Sequence, residues 1–153
     1  MALWQYHFHL LPRLAVEALW SEHNISFEEE GFDDDPFWKF EPVNKNIFQP
    51  IEIILPKNQS WSNSIEQYGV LDSNCLEVSF NRDDTVASAS FRINYTINYT
   101  DLLNKLIDFF ITNHLVIVTE ELNIISPNFE AVDNIIQNCP QRLKLQILSS
   151  PPQ

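Results

Sequence analysis

The stretch CLEVSFNRDDTVASASFRINYTI, residues 75–97, decides the fold. Leu76, Val78 and Phe80 alternate with Glu77, Ser79 and Asn81. After the polar turn Arg82-Asp83-Asp84, Ala87, Ala89, Phe91, Ile93 and Tyr95 alternate with Ser88, Ser90, Arg92 and Asn94. Successive side chains of a strand point to opposite faces of a sheet, so each run predicts a half-buried strand. Two such runs joined by a short polar turn predict an antiparallel hairpin with one face in the core and one wet face. Arg92 and Glu77 fall on the wet face, where we expect them to pair across the strands.

The same period recurs upstream. Trp4, Tyr6, Phe8 and Leu10 fall on one side of residues 3–10, and Gln5, His7 and His9 on the other. Pro12 suits the first turn of a helix whose apolar stripe is Leu14, Ala15, Ala18 and Leu19. Downstream, Leu102, Leu103, Leu106, Ile107, Phe110 and Ile111 repeat at helical spacing over 100–113, with Thr100 as cap. Leu115-Val116-Ile117-Val118 is apolar on both faces and predicts a central strand. Ser126-Pro127 opens a last helix carrying Phe129, Val132, Ile135, Ile136 and Cys139, and the tail 141–149 predicts an edge strand. Residues 37–56, interrupted by Pro50 and ended by Pro56, predict a short helix or irregular segment. Residues 57–74, rich in Asn and Ser, predict a connecting loop. By spacing Trp4, Trp20, Phe109 and Phe110 belong to the core, whereas Trp38 and Trp61 lie in loop-like surroundings.

The order strand, helix, insertion, hairpin, helix, strand, helix implies an α+β fold. We expect a two-layer sandwich, a mainly antiparallel sheet with helices on one face, compatible with a βαββαβ plan. The 153 residues predict one domain, 1–153, and 44% hydrophobic residues are enough for a true core.

Composition then narrows function. A formal net charge of −12 disfavours nucleic acid and anionic membranes, which attract clustered Lys and Arg, and favours a cationic partner. The first residues lack the basic and apolar regions of a secretory signal, and no apolar run approaches membrane-spanning length, so a cytoplasmic location is expected. With only Gly31 and Gly69, the chain has no glycine pair at the spacing of a phosphate-binding loop, a dinucleotide fingerprint or a nucleophile elbow. Cys75 and Cys139 lack metal-ligand spacing and read as reduced packing residues.

One segment stands out. Glu28-Glu29-Glu30-Gly31-Phe32-Asp33-Asp34-Asp35 packs six carboxylates into eight residues, and Pro36, Phe37 and Trp38 follow. Helical continuation would stack like charges one turn apart, so residues 27–36 predict a loop. The run lacks the alternating ligands and central glycine of a calcium-binding loop. Its crowding is unlike the paired acids of a glycosidase, one of which is kept protonated by a dry pocket. The combination of charge with Phe32, Phe37 and Trp38 suits contact with a basic protein surface. His7 and His9 share one strand face, an arrangement also seen in metal sites, although two histidines there are more often plain polar residues.

The succession of an aromatic strand ending at Leu11-Pro12, a central Lys57…Ser60-Trp61-Ser62 leading to Tyr68-Gly69 and Asp72, and a hairpin ending Phe91-Arg92-Ile93-Asn94 resembles small bacterial proteins encoded beside polymorphic toxins and held to be immunity proteins. Asn94 stands where that pattern has Asp, and the final segment lacks its aromatic. The resemblance implies binding and neutralising a toxin, and it transfers no catalytic residue, cofactor or metal ligand. The leading expectation is therefore a non-enzymatic, cytoplasmic interaction protein whose acidic loop occludes a basic surface on a protein partner, such as a cognate toxin. Glu28, Glu29, Glu30, Asp33, Asp34 and Asp35 would supply charge, and Phe32, Phe37 and Trp38 the anchors. The alternatives are a metal-binding module or metal-dependent enzyme using His7 and His9, or a small-molecule binding domain in which Trp61, Tyr68 and Arg92 line a pocket. Nothing in the sequence bears on oligomeric state.

Overall fold

The computed structural model describes residues 2–20 and 32–149. One antiparallel sheet of seven strands runs through them, in the order β2-β3-β4-β5-β1-β6-β7. The strands are β1 (Gln5–Pro12), β2 (Lys57–Asn58), β3 (Ile65–Gly69), β4 (Cys75–Phe80), β5 (Val86–Asn94), β6 (Leu115–Val118) and β7 (Ile124–Ile125). The helices are α1 (Arg13–Leu19), α2 (Asp35–Phe40), α3 (Thr100–Thr112), α4 (Phe129–Gln137) and α5 (Pro140–Ser149), with a 3₁₀ segment over Lys45–Ile53. The inner order β4-β5-β1-β6 is that of the expected βαββαβ plan: β5 separates β1 from β4, and β1 separates β5 from β6.

Register explains which face is dry. Pairing Tyr6 with Ile93, Phe8 with Phe91, Leu10 with Ala89 and Ile117, and Leu76 with Phe91 puts every one of these apolar side chains on one side. There Phe8 stacks on Phe91 with ring centroids 4.9 Å apart, and Phe91 meets Phe110 of α3 at 5.1 Å. Phe109 continues the cluster to Phe48 of the 3₁₀ segment at 5.8 Å, and Phe48 meets Trp38 of α2 at 6.4 Å. Aromatic rings bury large areas and favour such tilted contacts, so this chain of rings is the spine of the core.

Several expectations are corrected. The presumed loop 57–74 contains β2 and β3, because Glu66 on the core side of β3 is met by Lys45 at 2.8 Å and Lys57 at 3.5 Å. The tail 141–149 is helical rather than an edge strand. Pro140, which has no N–H to lose, opens α5. Thr100 does not cap α3; the Asn98 side chain accepts the Thr100 N–H instead. The cap of α4 is Asn128, accepting from Ala131, rather than Ser126. Trp4, assigned to the core by spacing, is 39% exposed and donates its indole N–H to the Asp72 carbonyl at 2.7 Å. Trp38 instead is core.

Candidate functional site

The wet face of the sheet collects His7 and His9 from β1, Ser88, Ser90 and Arg92 from β5, and Cys75, Glu77 and Ser79 from β4. Register sets Cys75, Arg92 and His7 in one row, and Glu77, Ser90 and His9 in the next. Glu77 is the anchor of this face. It lies 3.6 Å from the Arg92 guanidinium, as expected, and accepts the indole N–H of Trp61 at 3.1 Å. Arg92 also donates to the Leu71 carbonyl at 3.3 Å. Tyr68 sits on the opposite, dry side of β3, wholly buried, so Trp61, Tyr68 and Arg92 do not line a common pocket.

Of the acidic segment, Glu28, Glu29 and Glu30 lie outside the described residues, while Phe32 to Asp35 lie within them. Phe32 rests against His9 with ring centroids 5.2 Å apart and against Phe37 at 6.3 Å. The acidic segment and the histidine face, separate in the sequence, therefore adjoin. The expected loop 27–36 gives way to α2 at Asp35. Asp34 occupies the N-cap position, and Asp35 pairs with Lys39 at 2.7 Å. Asp35, in the first turn, meets the positive end of the helix dipole, whereas Asp34 makes no side-chain cap hydrogen bond. Asp33 is exposed and accepts the Asp35 N–H.

Two expected anchors are corrected. Phe37 and Trp38 are each 1% exposed, so they fasten the segment to the core and offer no surface to a partner. Their neighbours settle this: Phe37 meets Trp20 at 5.9 Å, and Trp38 meets Phe48. Phe32 remains half-buried, and Trp61, which local sequence left among loop residues, is 70% exposed beside Glu77.

Chemistry on this face is set by burial. The Cys75 thiol is buried and pushed up to about 11 by desolvation, so it stays protonated and is a packing residue. The His7 and His9 rings are 4.8 Å apart. Desolvation first, then the neighbouring charges of His9 and Arg92, push His7 down to about 4, and burial also lowers His9. Among the described residues, no group of three or more His, Cys, Asp or Glu is placed to hold a metal ion.

Desolvation, reinforced by Asp33 and Asp35, pushes Asp34 up to about 7. His7 and Asp34 then act in opposite senses. The unfolded imidazole takes its proton near 6.5 but the folded one only near 4, so the stability His7 contributes is complete above pH 6.5 and lost as pH falls towards 4. The folded Asp34 keeps its proton to about 7 whereas the unfolded one releases it near 3.8, so its contribution is complete below pH 3.8 and lost as pH rises towards 7. His9, which burial also lowers, adds to the His7 trend, so each variant is read against the wild-type profile measured over the same window. Relative to it, His7→Gln should lose stability as pH rises, and Asp34→Asn should lose stability as pH falls. Parallel profiles for all three proteins would refute both assignments.

The chain matches no family model, no curated protein and no solved structure. Among the described residues, no helix is long and apolar enough to cross a membrane.

Proposed function

We propose that this chain is a non-enzymatic, cytoplasmic protein-binding module of the bacterial immunity type, which neutralises a toxin by covering a basic surface. The observation that carries the reading is the seating of Phe32 on His9, which places exposed Asp33 at the border of the polar sheet face. Between Arg13 and Lys39 the chain holds eight of its 21 carboxylates and neither Lys nor Arg. A field of one sign steers an oppositely charged partner, and carboxylates accept short, charge-assisted hydrogen bonds from its arginines. Phe32 and Trp61 replace Phe37 and Trp38 as the apolar contacts of this surface.

The test starts from a partner captured by pull-down from the source cell. Replacing Glu28, Glu29, Glu30, Asp33, Asp34 and Asp35 by their amides should slow association by about tenfold or more at low ionic strength and flatten its dependence on salt. Circular dichroism checks that the variant is folded. Unchanged association kinetics would remove the acidic segment from the interface.

The metal-binding alternative has one observation in its favour, the close His7–His9 pair with His7 Nε2 buried and unpartnered among the described residues. Metal analysis of untagged protein separates the readings, since a sub-stoichiometric content ends this second one.

A further inference from the structure

Trp38 fastens α2 to the core, yet its indole Nε1 is buried with no hydrogen-bond partner among the described residues. Buried tryptophan N–H groups ordinarily find an acceptor. Trp38 also borders a cleft of about 370 Å³, at the low end of the range of small-molecule sites. Its apolar walls are Pro12, Trp38, Val43, Ile47 and Leu115, from the end of β1, α2, the approach to the 3₁₀ segment, that segment itself and the start of β6.

Two helix ends form the polar side of the cleft. The Arg13 N–H donates to the His114 carbonyl at 2.9 Å, which ties the start of α1 to the residues after α3. The Arg13 guanidinium stands 3.3 Å from His114 Nδ1. A guanidinium can only donate, so Nδ1 accepts, and the neutral ring carries its proton on Nε2 as a further donor. In this acidic chain Arg13 has no carboxylate partner among the described residues, unlike Lys39, Lys45, Lys57, Arg92 and Lys105. Glu41 also borders the cleft and repels an anion near it. Of the residues bordering the cleft, Arg13 is the arginine or lysine that an acid group would meet.

We propose that this cleft is a binding site for a small organic acid with an apolar body, whose oxygens accept from Arg13 while the body lies among Pro12, Val43, Ile47, Leu115 and the Trp38 ring. The site stands apart from the acidic segment and does not depend on the protein-binding reading. Trp38 also borders a more open cleft of about 470 Å³ that includes Arg82, and the test distinguishes the two.

The chain has four tryptophans, so ¹⁵N-labelled protein gives four indole N–H signals, with that of Trp38 assigned from Trp38→Phe. Phenylacetate, indole-3-acetate and 3-methylbutanoate, each titrated into the millimolar range, are the probes. At least one should shift the Trp38 signal saturably. Arg13→Gln should weaken that binding by about tenfold, and exchanging the carboxylate for an amide should weaken it similarly. Arg82→Gln should leave it unchanged. A Trp38 signal unmoved by all three acids overturns the site. So does an amide that binds as well as its acid, or a loss produced by Arg82→Gln in place of Arg13→Gln.

Discussion

Phe8→Ala should lower the stability of this chain by about 3–5 kcal/mol, a large part of the total of a domain this size. Phe8 is wholly buried on β1, which lies between β5 and β6 inside the sheet. Its ring is stacked on Phe91 at an interplanar angle of 18°, and Tyr6 tilts against it at 4.5 Å. Truncation removes the apolar area of the ring and leaves a cavity at the start of the Phe8–Phe91–Phe110 contact. Its walls belong to two paired strands and a helix, so little can collapse to fill it. The measurement is the urea midpoint at constant m-value. Phe8→Leu, which keeps most of the volume, should recover more than half of the loss. A midpoint unchanged by Phe8→Ala would contradict the placement of this ring in the core.

Gly69→Ala should be nearly as damaging, for a backbone reason. Gly69 ends β3 at φ +83°, and a Cβ there would stand 2.2 Å from the Asn74 carbonyl oxygen and 3.1 Å from Cys75 Cα. Both obstacles are backbone, so no side chain can swing aside. Strain at positive φ alone costs about 1–3 kcal/mol, and relieving the clash must also open the β3–β4 turn. That turn is closed by the Val70 N–H donating to Asn74 O at 3.0 Å. The Gly69 carbonyl accepts from Asn58 at 2.6 Å and from Gln67 at 3.0 Å, so β2 would loosen with it. Thermal unfolding should fall accordingly, and faster amide exchange should begin at β2, β3 and the turn. A variant as stable as the wild type would show that the turn takes another conformation.

Where the determining information was local, the sequence was enough. The β4–β5 hairpin, β1, α3 and β6 announce themselves because a run of alternating or helically spaced apolar residues has one way to bury its apolar side. The pairing of Arg92 with Glu77 follows from the hairpin register. β3 was hidden because Glu66, on its core side, breaks the apolar pattern, and the lysines that satisfy it lie 21 residues before and nine residues before it. The tail misled for a different reason. Leu143, Leu145 and Ile147 alternate, but Pro140 opens a helix there and none of its residues is fully buried, so no packed sheet face enforces the alternation.

The candidate site divides in the same way. Sequence alone located the acidic run, set His7 and His9 on one strand face and showed that Gly31 and Gly69 lack the spacing of a phosphate-binding loop, since these depend on composition and short spacing. Only tertiary packing decided that Phe37 and Trp38 are buried fasteners, that Phe32 meets His9, and that Trp61 reaches Glu77. It also placed Arg13 beside His114 at the edge of a cleft bordered by a buried indole. Such contacts join residues far apart in the chain, and their burial depends on what each segment packs against, which no local pattern of residues encodes.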